Sequence, residues 1–159
     1  MATSFEILFK KFYKRLVNDK QFFNYRGLDE EQVKLLVQDH SLDLLNQSID
    51  EIFRYGKPDC DFYDKDDDLL QFNFELVHQE ISLFVDLMYQ KYFEEDKNKL
   101  KVFGLTFTSS ELNVLSPANE RKTFLEMLDK LEKKNINTIK DYLSRDRKTW
   151  LHKSIYITQ

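Results

Sequence analysis

The chain has 159 residues, with Lys+Arg 24 against Asp+Glu 28 for a formal net charge of -4, and 14 Phe and 8 Tyr beside only 3 Gly and 2 Pro. Such a length suits one domain burying about two thirds of the surface its unfolded form exposes. The evenly mixed charge offers no field to hold nucleic acid, and no apolar run approaches the roughly 20 residues of a membrane span.

Few turn-makers and many bulky core-fillers favour long helices over a many-stranded sheet. The first element, SFEILFKKFYKRLV, is too broken by lysines for a signal peptide. It predicts an amphipathic helix: Thr3 and Glu6 stand at capping-box spacing, and Phe5, Leu8, Phe9, Phe12 and Leu16 recur at helical intervals. Lys10, Lys11, Lys14 and Arg15 fall on its other face, read as solvated, with contact to an acidic partner as the functional alternative. Gly27 breaks the pattern and Asp29 can cap a second helix with Val33, Leu36 and Val37 on one side. The phase shifts near Ser41, where Leu42, Leu45, Ile49, Ile52 and Phe53 start a new stripe that Gly56 and Pro58 end, so two helices or one kinked helix are expected.

Residues 64–75, DKDDDLLQFNFE, put Asp64, Asp66, Asp68 and Glu75 at the first, third, fifth and twelfth positions of a calcium-binding EF-hand loop. The match fails at the sixth position, where glycine lets the chain turn sharply and here Leu69 stands, and Leu70 and Phe72 put further apolar groups inside the loop. An acidic solvated loop leading into a buried helix is the expectation. The helix after it carries the strongest stripe, Val77, Ile81, Phe84 and Met88, widened by Leu76, Leu83 and Leu87, as a central helix covered on several sides would. Residues 97–115 lose this period around Gly104, allowing a short strand pair or an irregular crossover. Ser116 and Pro117 read as the start of a last helix with Phe124, Leu128, Leu131, Ile139 and Tyr142 or Leu143 on one side, running to about Arg145. In the closing TWLHKSIYITQ, Ile155 and Ile157 alternate as a strand would, consistent with a tail that adds to a neighbour's sheet edge or with a mobile terminus.

The residues offer little catalytic chemistry. Cys60, the lone cysteine, cannot close an intrachain disulfide, fits a reducing cytoplasm, and lies among carboxylates that would raise its pKa. His40, His78 and His152 are scattered singly, and His78 with Glu80 lacks the spacing of a zinc peptidase helix. The isolated Gly27, Gly56 and Gly104 make no phosphate loop. No enzyme, cofactor or metal is expected. A single all-α helical-bundle domain is expected instead: about four to five helices, a long central one, an irregular or short β-hairpin insert before the last helix, a core over about 4–145 and an extended tail over 146–159.

The succession LLNQSIDEIF, CDFYDKDDD, QFNFELVHQEISLFVDLMYQKYFEE and VLSPANERKTFLEMLDKLEKK, over roughly residues 40–145, resembles the head-to-tail adaptor (neck or connector) proteins of tailed bacteriophages, particularly those of low-GC hosts. The resemblance rests on the acidic loop, on Glu80-Ile81 and Leu87-Met88 in the central helix, and on Ser116, Ala118 and Asn119 at the last helix. Val77 stands where the family has threonine or serine, and Tyr92 where it has tryptophan. The resemblance implies a structural protein of the virion neck, made in the host cytoplasm. Copies would form a ring, a dodecamer by family resemblance, joining the portal protein to the next neck or tail-completion protein. DNA would pass through its channel without specific binding. Candidate partner contacts are Asp61, Tyr63, Asp64, Asp66, Asp67 and Asp68 in the loop and Trp150, Ile155, Tyr156 and Ile157 in the tail. Two alternatives from other classes are a calcium-responsive helical binding module and a small phage or bacterial regulatory protein that binds a host factor.

Overall fold

The computed structural model of the protein describes residues 2–17, 30–106 and 118–153. Most belong to four helices, α1 (Glu6–Val17), α2 (Glu30–Tyr55), α3 (His78–Thr106) and α4 (Ala118–Ser144). Three two-residue strands, β1 (Thr3–Ser4), β2 (Lys65–Asp66) and β3 (Gln71–Phe72), pair antiparallel in the order β1-β3-β2. The fold is mainly helical, as composition suggested, with its small sheet in a place the sequence did not indicate.

Helix α3 is the centre, packing against α1, α2 and α4, which is why its apolar stripe is so broad. Leu83, Phe84, Leu87 and Met88 are buried in it, facing Phe5, Leu8 and Phe12 of α1, Leu44, Leu45, Ile49 and Ile52 of α2, and Ile139 of α4 within one cluster. Phe62, Phe72 and Phe84 join that cluster from the loop, β3 and α3, with Phe62 edge-on to Phe84 at 4.9 Å and Phe5 edge-on to Phe72 at 5.0 Å. Each such ring, fully buried, contributes about 1.5–3 kcal/mol. Among the described residues, Phe5, Phe9, Phe12, Phe62, Phe72, Phe84 and Phe93 are therefore core.

Several expectations are corrected. Helix α2 runs unbroken through Ser41, because that residue turns inward and satisfies its hydroxyl locally, donating to the Val37 carbonyl at 2.7 Å and meeting the Tyr13 hydroxyl at 2.6 Å. Residues 97–106 continue α3 rather than forming an irregular or β insert. Thr3 does not cap α1; it lies in β1 opposite Phe72, and its hydroxyl accepts the buried Leu76 N–H at 2.9 Å. Ser4 takes over at the helix start, accepting from the Glu6 N–H at 3.2 Å. Arg15 is half-buried instead of solvated, paired with Asp86 and lying 4.2 Å over the Tyr89 ring. Residues 146–153 are not extended but turn back, Lys153 N–H donating to the Ser144 carbonyl at 2.8 Å and Arg145 bridging to His152. Gly27, Asp29, Ser116 and Pro117, the strand-like stretch 107–115, and Ile155, Tyr156 and Ile157 lie outside the described residues, as does the Val33 side chain.

A polar seam ties the helices in register. The Lys91 ammonium, almost wholly buried, donates to Glu51 of α2 at 3.1 Å and to Glu94 at 3.0 Å. Burial pulls its pKa down, but the two carboxylates outweigh that and raise it. Asn135 of α4 donates to Gln90 at 2.8 Å and to the Asp86 carbonyl at 3.1 Å, while its own Oδ1 is buried without a partner.

Candidate functional site

Of the predicted contact residues, Asp66, Asp67 and Asp68 lie on a hairpin made by β2 and β3, and Asp61, Tyr63 and Asp64 in the loop that leads into it. Asp66 pairs with Gln71 across a four-residue turn, and the Asp66 carboxylate organises that turn by accepting the N–H groups of Asp68 at 3.0 Å and Leu69 at 2.9 Å. Leu70 then takes a left-handed conformation, φ 51°, which a branched side chain adopts only when its surroundings hold it there. They do so here: the Leu70 carbonyl accepts the Phe5 N–H at 2.8 Å, and its side chain packs on the core. Leu69 is left at the tip, 66% exposed.

Three other aspartates are also engaged locally. Asp61 accepts the Tyr63 N–H at 2.9 Å, and Asp64 accepts the Asn73 amide at 2.8 Å. Lys65 folds over onto Asp67. Tyr63 lies against Phe53 at 4.8 Å and donates its hydroxyl to Asp50 at 2.7 Å, a bond that raises its pKa. Carboxylates that cap their own turns do not converge on a cation, and among the described residues no three His, Cys, Asp or Glu side chains come together as a metal site. The aspartate-rich segment is thus a locally hydrogen-bonded, acidic, solvent-facing platform.

Near the start of α3 lies a carboxylate that the sequence did not mark as a contact or catalytic site. Glu80, with no exposed surface, is the third residue of α3, and its Oε2 accepts the Val77 N–H at 2.8 Å, completing half of a capping box. The Ile81 N–H donates to the Val77 carbonyl at 3.1 Å, so Val77 occupies the N-cap and offers no hydroxyl for the other half. Glu80 Oε1 accepts the Tyr142 hydroxyl at 2.7 Å and lies 3.5 Å from Cys60 Sγ. Arg147 then closes on it with two bonds, Nε to Oε1 at 2.6 Å and Nη2 to Oε2 at 3.0 Å. A charge so buried loses several kcal/mol of hydration, which only such a set of donors can offset.

The electrostatics follow from this arrangement. Hydrogen bonding to Glu80 raises the Arg147 pKa further. Burial first, then the Glu80 charge, pushes the Cys60 thiol up to about 12 and drives Tyr142 upward as well. Both groups are therefore protonated donors at neutral pH, not nucleophiles. The thiol was expected to be blunted by its neighbours Asp59 and Asp61; burial and Glu80 do it instead. Glu80 was legible in one respect: it falls on the apolar stripe between Leu76 and Phe84, where a carboxylate needs a partner.

Arg147 reaches the site on a C-terminal strap, residues 145–153. Asp146 caps its turn, accepting from Thr149 N–H at 2.8 Å and Lys148 N–H at 3.0 Å, and the Thr149 amide bond holds its pKa below the usual carboxylate value. Asp59 accepts the Arg147 N–H at 3.0 Å and pairs with Lys153 at 2.7 Å. Trp150, expected to reach a partner, is half-buried against Tyr142 at 6.2 Å, with Arg145 over its ring. Thus the loop candidates are brought together at the surface, whereas Trp150 anchors the strap to its own chain. Compared with protein-family models, with curated proteins and with solved structures, the chain finds no match.

Proposed function

We propose that the chain is a structural virion protein, a head-to-tail adaptor whose copies form the neck ring between the portal and the next neck or tail-completion protein of a tailed bacteriophage. The observation that carries this reading is the ordered similarity over roughly residues 40–145, in which an acidic CDFYDKDDD segment, a central helix and a charged last helix follow one another. The geometry is compatible with it. The acidic segment is an outward platform whose turn is tied by its own hydrogen bonds, a form suited to docking against a preassembled partner. Asp61, Tyr63, Asp64, Asp66, Asp67 and Asp68 are the portal-facing candidates in this reading. The helical bundle supplies ring contacts, and a net charge of -4 lets DNA pass without adhering. Virion neck localisation and a ring of twelve come with the family resemblance.

Cross-linking mass spectrometry on purified particles of the source phage tests it. Links from Lys57 and Lys148, both exposed, to the portal and to a second copy of the chain are expected. Absence of the protein from such particles would sink the adaptor reading and favour the regulatory alternative.

A further inference from the structure

We propose that Glu80, the Glu75 carbonyl and the Phe74 ring form a preformed guanidinium-binding site, filled in this structure by the chain's own Arg147 and able to take an arginine from another polypeptide. Arg147 is bound as a ligand would be. Its Nε and Nη2 meet the two Glu80 oxygens side by side at 2.6 and 3.0 Å, the fork-to-fork geometry of arginine on a carboxylate. Nη2 also donates to the Glu75 carbonyl, and the guanidinium carbon lies 5.5 Å from the Phe74 ring centroid. A lysine ammonium is a point charge and cannot fill that arrangement.

The walls do not depend on the occupant. Val77 N–H and the Tyr142 hydroxyl fix the Glu80 carboxylate from α3 and α4. The backbone beside Glu75 is pinned where Leu76 N–H meets Thr3 Oγ1 at 2.9 Å. Phe74 packs against Phe72 at 5.5 Å and Phe62 at 6.2 Å. The occupant arrives on a strap with bonds of its own, the Arg147 N–H donating to Asp59 at 3.0 Å and the Lys153 N–H to the Ser144 carbonyl at 2.8 Å, but with little buried apolar surface. Leu151 is 69% exposed, the Lys153–Asp59 pair is solvent-accessible and contributes little, and the half-buried Trp150 is the strap's main apolar contact. Lifting residues 145–153 would leave a buried carboxylate, a free carbonyl and an aromatic face pointing at the vacated space. Chemistry of that kind selects a guanidinium. The inference stands apart from the adaptor reading.

Chemical rescue tests it. Arg147→Ala should melt below the unaltered protein, and millimolar methylguanidinium should raise its Tm saturably by mass action. The same additive should leave the unaltered protein and the Glu80→Gln/Arg147→Ala double variant without that rise. Methylammonium should act about tenfold more weakly, lacking the fork. If Arg147→Ala does not fold, Arg147→Lys, which keeps the charge but not the fork, carries the same titration. Failure of methylguanidinium to stabilise the folded variant, or equal stabilisation with Gln at position 80, overturns the proposal.

Discussion

Two sets of carboxylates lie within one end of this molecule, and they behave in opposite ways. Five aspartates of residues 61–68 face water or the surface of the hairpin, and four of them, Asp61, Asp64, Asp66 and Asp67, serve their own turn or a single neighbour. Glu80 is alone and buried, and four elements converge on it: the loop after α2, the N-terminus of α3, the C-terminal part of α4 and the strap. A charge in water is screened and interacts weakly, whereas a buried charge demands partners and so dictates where they must stand. Abundance in the sequence is therefore a poor guide to which carboxylate organises the fold.

The contrast can be broken most directly at Glu80. Glu80→Ala should destabilise the protein by about 3–5 kcal/mol, because Arg147 and Tyr142 lose their acceptor in a dry site. A urea unfolding midpoint that moved by less than about 1 kcal/mol in equivalent stability would erase the distinction. Asp66→Ala removes the acceptor that caps the hairpin turn and should cost only about 1 kcal/mol in the same measurement. At the N-cap of α3, Val77→Thr supplies the missing hydroxyl to the first turn and should stabilise by about 0.5–1 kcal/mol, read as a raised urea midpoint. Replacing Asp67 and Asp68 together by Asn should change stability by no more than about 0.5 kcal/mol, while weakening portal binding if the adaptor reading holds, which a pull-down with the portal would report.

The smallest effect concerns the strap and pH. A hydrogen bond from Lys153 lowers the Asp59 pKa, and the Thr149 amide lowers that of Asp146, both from 3.8. A depressed folded-state pKa contributes stability above the unfolded value that is lost as pH falls through the folded one. Acidification below about pH 3.8 should therefore loosen the strap. Trp150 is the only tryptophan, so its emission should shift red in that window and stay constant between pH 5 and 8.

The helices were largely legible in the sequence. Leu45, Ile49 and Ile52 in α2, Leu83, Phe84, Leu87 and Met88 in α3, and Leu128, Ile139 and Tyr142 in α4 lie on the stripes their spacing draws, and all are buried. The two-helix option at Ser41 misled because a hydroxyl can be satisfied on its own helix, so an inward serine need not break one. The sheet was hidden because each strand has two residues, too few for alternation to register. Thr3 looked like a helix cap because capping depends on local spacing, whereas its actual bond reaches Leu76, far along the chain. The Glu80 site was hidden for the same reason: Cys60, Glu80, Tyr142 and Arg147 are scattered in sequence, and only the packing of α3 against α4 and the strap brings them together.

The bond between Thr3 and Leu76 spans 73 positions, and the one between Glu80 and Arg147 spans 67. Chains emerge from the ribosome N-terminus first, so neither end of this pairing can close early. The first helix must wait for residues 71–76 before its leading strand has a neighbour. Glu80 then waits in turn for an arginine translated much later. During synthesis Glu80 thus lacks its Arg147 partner until the strap has been translated. Native docking at this end is accordingly a late event, one that follows translation of the strap.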